Sequence, residues 1–212
     1  MGLARVLEPE WLDDLPHEDP RALRSRRDLV RVNALMGNVR IVAGELARVE
    51  TLRSIAEIGS GDGAFMRSVL RVLGRDDLEV HLVARQPVGT ITADVFEWLS
   101  DDASPKVDAI VANLFLHHFD SRQVARMLTL IARRSRAFIA CEPRRSMAAL
   151  AGSHLLGLVG CNDVTRHDAV VSVRAGFADG ELVSLWPQDE GWDCEERARG
   201  LFSHSFVAHR NG

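Results

Sequence analysis

Compact apolar runs alternate along the chain with longer stretches in which apolar positions recur every three or four residues. The runs at 52–58, 78–84, 107–116 and 137–143 read as strands covered on both faces, because they lack the strict in–out alternation of a half-exposed sheet. The three- and four-residue recurrence marks helices at 21–36 (Leu29, Val32, Leu35/Met36), 64–73 and 121–134. Gly37 can end the first of these, and a further helix is expected over 41–49. A short strand is expected around 90–95, a helix-like stretch over 148–160, a polar connection over 161–168 and a helical segment near 180–185. The segments 191–198 and 202–210 alternate polar and apolar residues, as the two arms of a closing hairpin would. Pro9, Pro16 and Pro20 lie among acidic residues and predict an irregular arm.

Strand–helix alternation of this kind predicts an α/β fold: a doubly wound, Rossmann-like, mostly parallel sheet with an antiparallel strand at its edge and an N-terminal helical cap. Its 212 residues suit one such domain rather than two. The expected organisation is an arm and helical cap over 1–50, then the sheet domain over 51–212.

Charge and cysteine usage narrow the partners. A net charge of −4 gives no reason for a polyanionic partner. The one basic run (Arg21, Arg24, Arg26, Arg27, Arg31) is interleaved with apolar residues and reads as a solvated helix face, so no nucleic acid is expected. The longest apolar stretch, 147–161, contains His154 and falls short of the roughly 20 residues of a membrane span. The first residues do not resemble a secretory signal. Cys141, Cys161 and Cys194 are odd in number and far apart, with no disulfide framework or metal-ligand spacing. A reducing cytoplasm and no metal are the expectations; oligomeric state has no signature.

The segment IAEIGSGDGAF, 55–65, carries the most chemistry. A strand delivers Glu57, and Gly59, Gly61 and Gly63 form the turn before a helix. Glycines let the backbone turn sharply and approach a ligand with no Cβ between them. The amides near Asp62 and Gly63 offer donors at a helix start. As GSGDGA the loop fits the dinucleotide pattern GxGxxG/A. An anion at Glu57 has no evident use beside a phosphate, whereas S-adenosylmethionine (SAM) carries an amino group and a sulfonium. A purely structural glycine turn is the bland alternative.

Read as Glu57-x-Gly59-x-Gly61-x-Gly63, the loop resembles the first motif of class I SAM-dependent methyltransferases. The resemblance covers roughly residues 50–145 well and the remainder more loosely. It is nearest to the small-molecule methyltransferases of the ubiquinone and menaquinone biosynthesis type. The segments RSRRDLVRVNALMG and TRHDAVVSVRAGF are similar to members associated with polyketide or phenolic products. The resemblance implies SAM as cofactor and a small-molecule acceptor, a phenolic, quinone or polyketide-type hydroxyl or carbon, handled by an insertion near 145–185. It places Asp94 and Val95 at the adenine and Asn113 in the fourth strand near the transferring methyl. Ala84, with Arg85 after it, stands where the ribose-binding acid is expected. That departure leaves two alternatives: an NADP-binding oxidoreductase using Arg85 for a 2′-phosphate, and a degenerate, weakly SAM-binding partner protein.

A base helps methyl transfer to a hydroxyl, and histidine titrates near neutrality. His117 and His118 follow the fourth strand, and His167 with Asp168 lies in the expected polar connection. His118 and His167 are the candidate bases; the bland reading of each is a surface or hydrogen-bonded histidine.

Overall fold

In the computed structural model, which describes residues 3–16, 18–85, 89–188 and 191–211, the sheet grows outward from its first strand. That strand, β1 (Ser54–Ile58), lies between β2 (Glu79–Ala84) and β4 (Ala109–Asn113), parallel to both. Beyond β2 comes the two-residue β3 (Ile91–Thr92), and beyond β4 comes β5 (Ala137–Pro143). The hairpin of β6 (Trp192–Arg199) and β7 (Ser203–Arg210) completes the order β3-β2-β1-β4-β5-β7-β6. β7 runs antiparallel to both β5 and β6, with Ala137 opposite His209 and Pro143 opposite Ser203. The expected doubly wound sheet and its antiparallel component are therefore present. The chain winds one way from β1 to β3 and the other way from β4, so the strand order reverses between β1 and β4. Crevices at such reversals are where open α/β sheets bind ligands.

Residues of alternate parity leave the strands on opposite faces and build two apolar layers. On one face Ile110, Ala112 and Phe138 meet α5 (Val95–Ser100), α6 (Ser121–Arg134) and α9 (Glu181–Leu185), through Trp98, Met127, Ile131 and Leu182. On the other, Ile55, Val111 and Ile139 meet α3 (Asn38–Leu46) and α4 (Ala64–Leu73), through Val42, Leu46, Met66 and Val69. Each fully buried side chain of this size contributes about 1.5–3 kcal/mol, which is why the strand runs stay apolar on both faces.

Four expectations are corrected by local chemistry. The strand expected at 90–95 is only β3, because Asp94 caps α5 and accepts the Phe96 amide at 2.8 Å. The strand expected over 107–116 stops at Asn113, where Leu114 takes a left-handed φ of 51°. The polar connection expected over 161–168 is the start of α8 (Asp163–Ala175): Asn162 caps it, accepting the Thr165 amide at 2.9 Å. The helix-like stretch over 148–160 is α7 (Met147–His154) followed by a 3₁₀ turn, Leu155–Val159, closed by Gly160 at φ 82°.

The helix expected over 21–36 is α2 (Pro20–Met36), but its buried face is not its apolar one. Ala22, Ser25 and Asp28 are buried, while Val30 and Leu35 are 62% and 67% exposed. Polar bonds to α8 explain this: Thr165 Oγ1 donates to Ser25 Oγ at 2.9 Å, and Asp28 accepts the Asn162 amide at 2.8 Å. Gly37, at φ 72°, ends α2 and starts α3. Among the described residues no helix is long and apolar enough to cross a membrane.

Candidate functional site

The three glycines after β1 do two different jobs. A Cβ on Gly59 would stand 2.1 Å from the Phe115 ring, and one on Gly63 would stand 2.5 Å from Leu82 Cδ1. Both have positive φ, so packing and backbone together require glycine there. Gly61, φ 51°, has no protein atom within 4 Å of a Cβ built on it. Its glycine therefore leaves room on the cavity side of the loop.

The electrostatics of the loop separate the two ligand classes it could cradle. Asp62 Oδ1 accepts the Ala64 amide at 2.9 Å, so a carboxylate already occupies the start of α4 where a phosphate would dock. Glu57 is buried behind the loop, and its Oε2 has no hydrogen-bond partner. Burial, then the nearby Asp62, push its pKa from 4.5 up to about 8, against a smaller pull from the Met66 amide and Arg67. Two acidic groups at this turn disfavour a pyrophosphate and suit a cation.

A cavity of about 530 Å³ opens in front of the loop, within the range of small-molecule sites. Gly59, Gly61, Ala84, Arg85, Asp94 and Val95 line one end. Arg85 Nη2 donates to Asp94 Oδ2 at 2.9 Å, and this bond chiefly holds the Asp94 carboxyl below its ordinary pKa. The guanidinium expected to suit a 2′-phosphate thus already has a carboxylate partner.

The other end is built where β4 leaves the sheet. Leu114 follows in the left-handed region, which costs a residue with a Cβ about 1–3 kcal/mol and is typical of functional sites. A 3₁₀ turn, Leu116–His118, comes next. Glu142, fully buried at the end of β5, organises it: Oε1 accepts the Phe115 and Leu116 amides at 3.0 and 2.9 Å, and Oε2 lies 2.8 Å from His117 Nδ1. Phe115, His118 and Phe119 then line the cavity.

The arm closes this end. Arg5 donates to the carbonyls of Ala175 at 2.7 Å and Phe119 at 2.9 Å. The Trp11 and Leu12 amides of the short helix α1 (Trp11–Asp14) donate to Asp168 at 2.8 and 3.0 Å. Leu12, Asp13 and Leu15 thereby become cavity wall. A second cavity, about 360 Å³, lies under the arm between Glu10, Asp13, His117 and His118; Asp13 and His118 border both. Burial would lower the His117 pKa, but Glu10 and Glu142 on either side raise it to about 9. His118 is held below its ordinary value by burial and by His117.

The structure thus gathers Gly59, Gly61, Ala84, Arg85, Asp94, Val95 and His118 around one cavity, with Glu57, Asp62 and Gly63 in or behind its loop. Two expected residues sit elsewhere. Asn113 commits its amide to the cap, accepting from Asn38 at 2.8 Å and donating to Asn33 at 3.3 Å. His167 lies in α8, bonded to Asp168 at 2.9 Å and stacked on the Trp11 ring at 3.9 Å, and it lines neither cavity. Sequence reading missed Glu10, Asp13, Phe115 and Glu142. Only Glu142 left a signal, a lone acid ending a fully apolar strand.

No family model matches the chain, and no curated protein matches it in sequence. Solved structures do match in shape. One is the plantazolicin methyltransferase BamL, crystallised with a triazolic desmethylPZN analog and SAH: 13% identity, 94% of this chain and 93% of that one, TM-score 0.69. The fold is that of methyltransferases. An O-methyltransferase family protein from Burkholderia thailandensis gives 18% identity over 92% of this chain, with a TM-score of 0.63. The mitomycin 7-O-methyltransferase MmcR gives 21% over 94%, with a TM-score of 0.55. The chain spans only 61% and 60% of the lengths of those two. The expected methyltransferase fold is thereby found in shape as well as in motif.

Proposed function

We propose that this protein transfers the methyl group of SAM to a small-molecule acceptor. The observation that carries the reading is the buried, unpartnered carboxylate oxygen of Glu57 behind a loop whose Gly61 faces open space. A cationic ligand stabilises the ionised form of that carboxyl, which burial otherwise disfavours, and the space left by Gly61 admits its approach. SAM supplies a sulfonium-bound methyl group when bound. The structures similar in shape include enzymes crystallised with SAH, which supports the same cofactor.

The chain's own residues divide the work. The glycine loop cradles the methionine portion, and Asp94, Val95 and Ala84 flank the nucleoside. Phe115, Phe119, Leu12 and Leu15 form an apolar wall suited to a flat aromatic acceptor. The arm and cap over 1–50 and the helices over 145–185 form the acceptor side. Methyl transfer asks chiefly for alignment of the reacting atoms at about 3–3.5 Å, and His118, which shares that wall with Asp13, is the group we assign to meet the acceptor's reacting atom.

Calorimetric titration tests this. SAM and SAH should bind in the micromolar range, and NADPH should give no signal. Tight NADPH binding without SAM binding would instead establish the dinucleotide reading, which the Asp62 cap and the Arg85–Asp94 pair disfavour. SAM binding only at millimolar concentration would point to the degenerate partner protein.

A further inference from the structure

Glu10, His117 and His118 converge where the arm crosses the turn after β4. One donor atom from each lies within 4.8 Å of the other two. The distance from Glu10 Oε1 to His117 Nε2 is 3.4 Å, long for a charge-assisted hydrogen bond. It matches the edge of a tetrahedron whose corners stand about 2.0–2.1 Å from the centre, the bond length of zinc to nitrogen or oxygen.

The surroundings orient these donors. Glu142 binds His117 Nδ1 at 2.8 Å and is itself fixed by two backbone amides. A carboxylate on the far nitrogen fixes the ring orientation, as behind metal-bound histidines generally, and an ion at Nε2 takes the place of the proton that this nitrogen otherwise turns toward Glu10. The Ser172 hydroxyl donates to Glu10 Oε1, the same oxygen that faces His117, and so fixes its place. The His118 ring rests against that of His117, centroids 4.3 Å apart, with no hydrogen bond to it among the described residues. All three residues line the second cavity. Two imidazoles and one carboxylate suit a zinc-like ion and leave one coordination position unfilled.

We propose that Glu10, His117 and His118 bind one divalent transition-metal ion of the zinc type, with a fourth position open to the cavity for water or an acceptor oxygen. Binding of the ion stands independently of the cofactor; only its use in holding an acceptor oxygen rests on the methyl-transfer reading. Because Glu10 belongs to the arm and both histidines to the turn after β4, the ion also pins the arm across the end of the sheet.

The test is to strip the purified chain with a chelator and titrate it with zinc chloride and cobalt chloride. One equivalent of zinc should bind, and cobalt should develop the intense visible bands of a tetrahedral site. Glu10→Gln and His118→Gln should each weaken binding by about 10–100-fold or more. His154→Gln, an exposed histidine on α7, should bind as the parent does. Zinc should also protect His118 of the unaltered chain from carbethoxylation by diethylpyrocarbonate, which keeps the test decisive should a variant fail to fold. Absence of saturable binding, undiminished binding in both variants, or an unprotected His118 would each overturn the site. SAH titrated into the stripped protein separates the two readings: SAH binding without zinc binding refutes the metal site alone, and the converse refutes the methyl-transfer reading alone.

Discussion

The glycine loop takes its shape from the consecutive residues 55–65, whereas the wall opposite is assembled from Glu10, His118, Glu142 and Asp168, which only the folded chain brings near one another. The first end is a strand–turn–helix in which each glycine answers a neighbour or a ligand. The second is a set of long-range polar bonds that fasten an arm of little regular structure over the exit of β4. The lesson is one of cost. The loop end depends on sterics that a single Cβ would violate, and the arm end depends on buried groups that a single truncation would leave unsatisfied.

The largest effect should come from the arm end. Glu142→Ala removes the acceptor for the Phe115 and Leu116 amides and the partner of His117, all in a buried place. Thermal and denaturant unfolding should show a loss of about 3–5 kcal/mol, the range for breaking a buried charged pair. A loss below about 1 kcal/mol would mean that the turn holds itself and that the contrast is overstated.

Next comes Gly61→Val: the new side chain meets no protein atom, and the chain should stay folded at the expense of the backbone strain of a β-branched residue at φ 51°, about 1–3 kcal/mol. SAM binding should nevertheless drop by roughly 100-fold or more, because the new side chain fills ligand space. Unchanged affinity would show that the loop is structural and the cofactor lies elsewhere.

Glu57 gives the loop end a pH signature. With its pKa near 8, Glu57 carries a proton at pH 6 and must lose it to face a cation. SAM affinity should therefore fall about tenfold for each pH unit below 8 and level off above it. The stability that the neutral carboxyl contributes is fully present below its unfolded value, near 4.5, and is lost as pH rises through about 8. Glu57→Gln should flatten both profiles. SAH, which keeps the amino group but lacks the sulfonium charge, shows which cation Glu57 senses.

Asp168→Asn should loosen the arm by weakening its hold on two amides. The acceptor's KM should rise by about tenfold with kcat nearly constant, since a charged hydrogen bond contributes roughly 1.5–3 kcal/mol and asparagine keeps part of it. An equal drop in kcat would make the arm part of the reacting geometry rather than a wall. Of similar size but opposite sign, Ala84→Asp should tighten SAM binding by about 1–2 kcal/mol by restoring a ribose acceptor. Weaker binding would indicate that Arg85 and Asp94 have reshaped that pocket.

What was legible in the sequence was whatever short-range geometry dictates. The bounds 64–73, 121–134 and 137–143 coincide with α4, α6 and β5, because period and capping act within one element. The glycine turn was legible for the same reason, and with it Glu57 and the methyltransferase fold. Asp94 was found but given a strand, since its role as a cap rests on a single bond to the Phe96 amide. The buried face of α2 was misread because Ser25 and Asp28 are buried through hydrogen bonds to α8, which no periodicity of apolar residues records. His118 was placed from its position after β4; His167 was placed in a loop because the Asn162 cap went unrecognised. The sequence alone thus determined the doubly wound parallel sheet, its closing hairpin and the glycine turn, through contacts that repeat every two to four residues. The tertiary structure alone decided that Glu10 meets His117 and His118, that Asn113 serves the cap, and that the arm becomes a wall. Such contacts join residues 75 to 170 positions apart, and only packing of the whole chain brings their partners together.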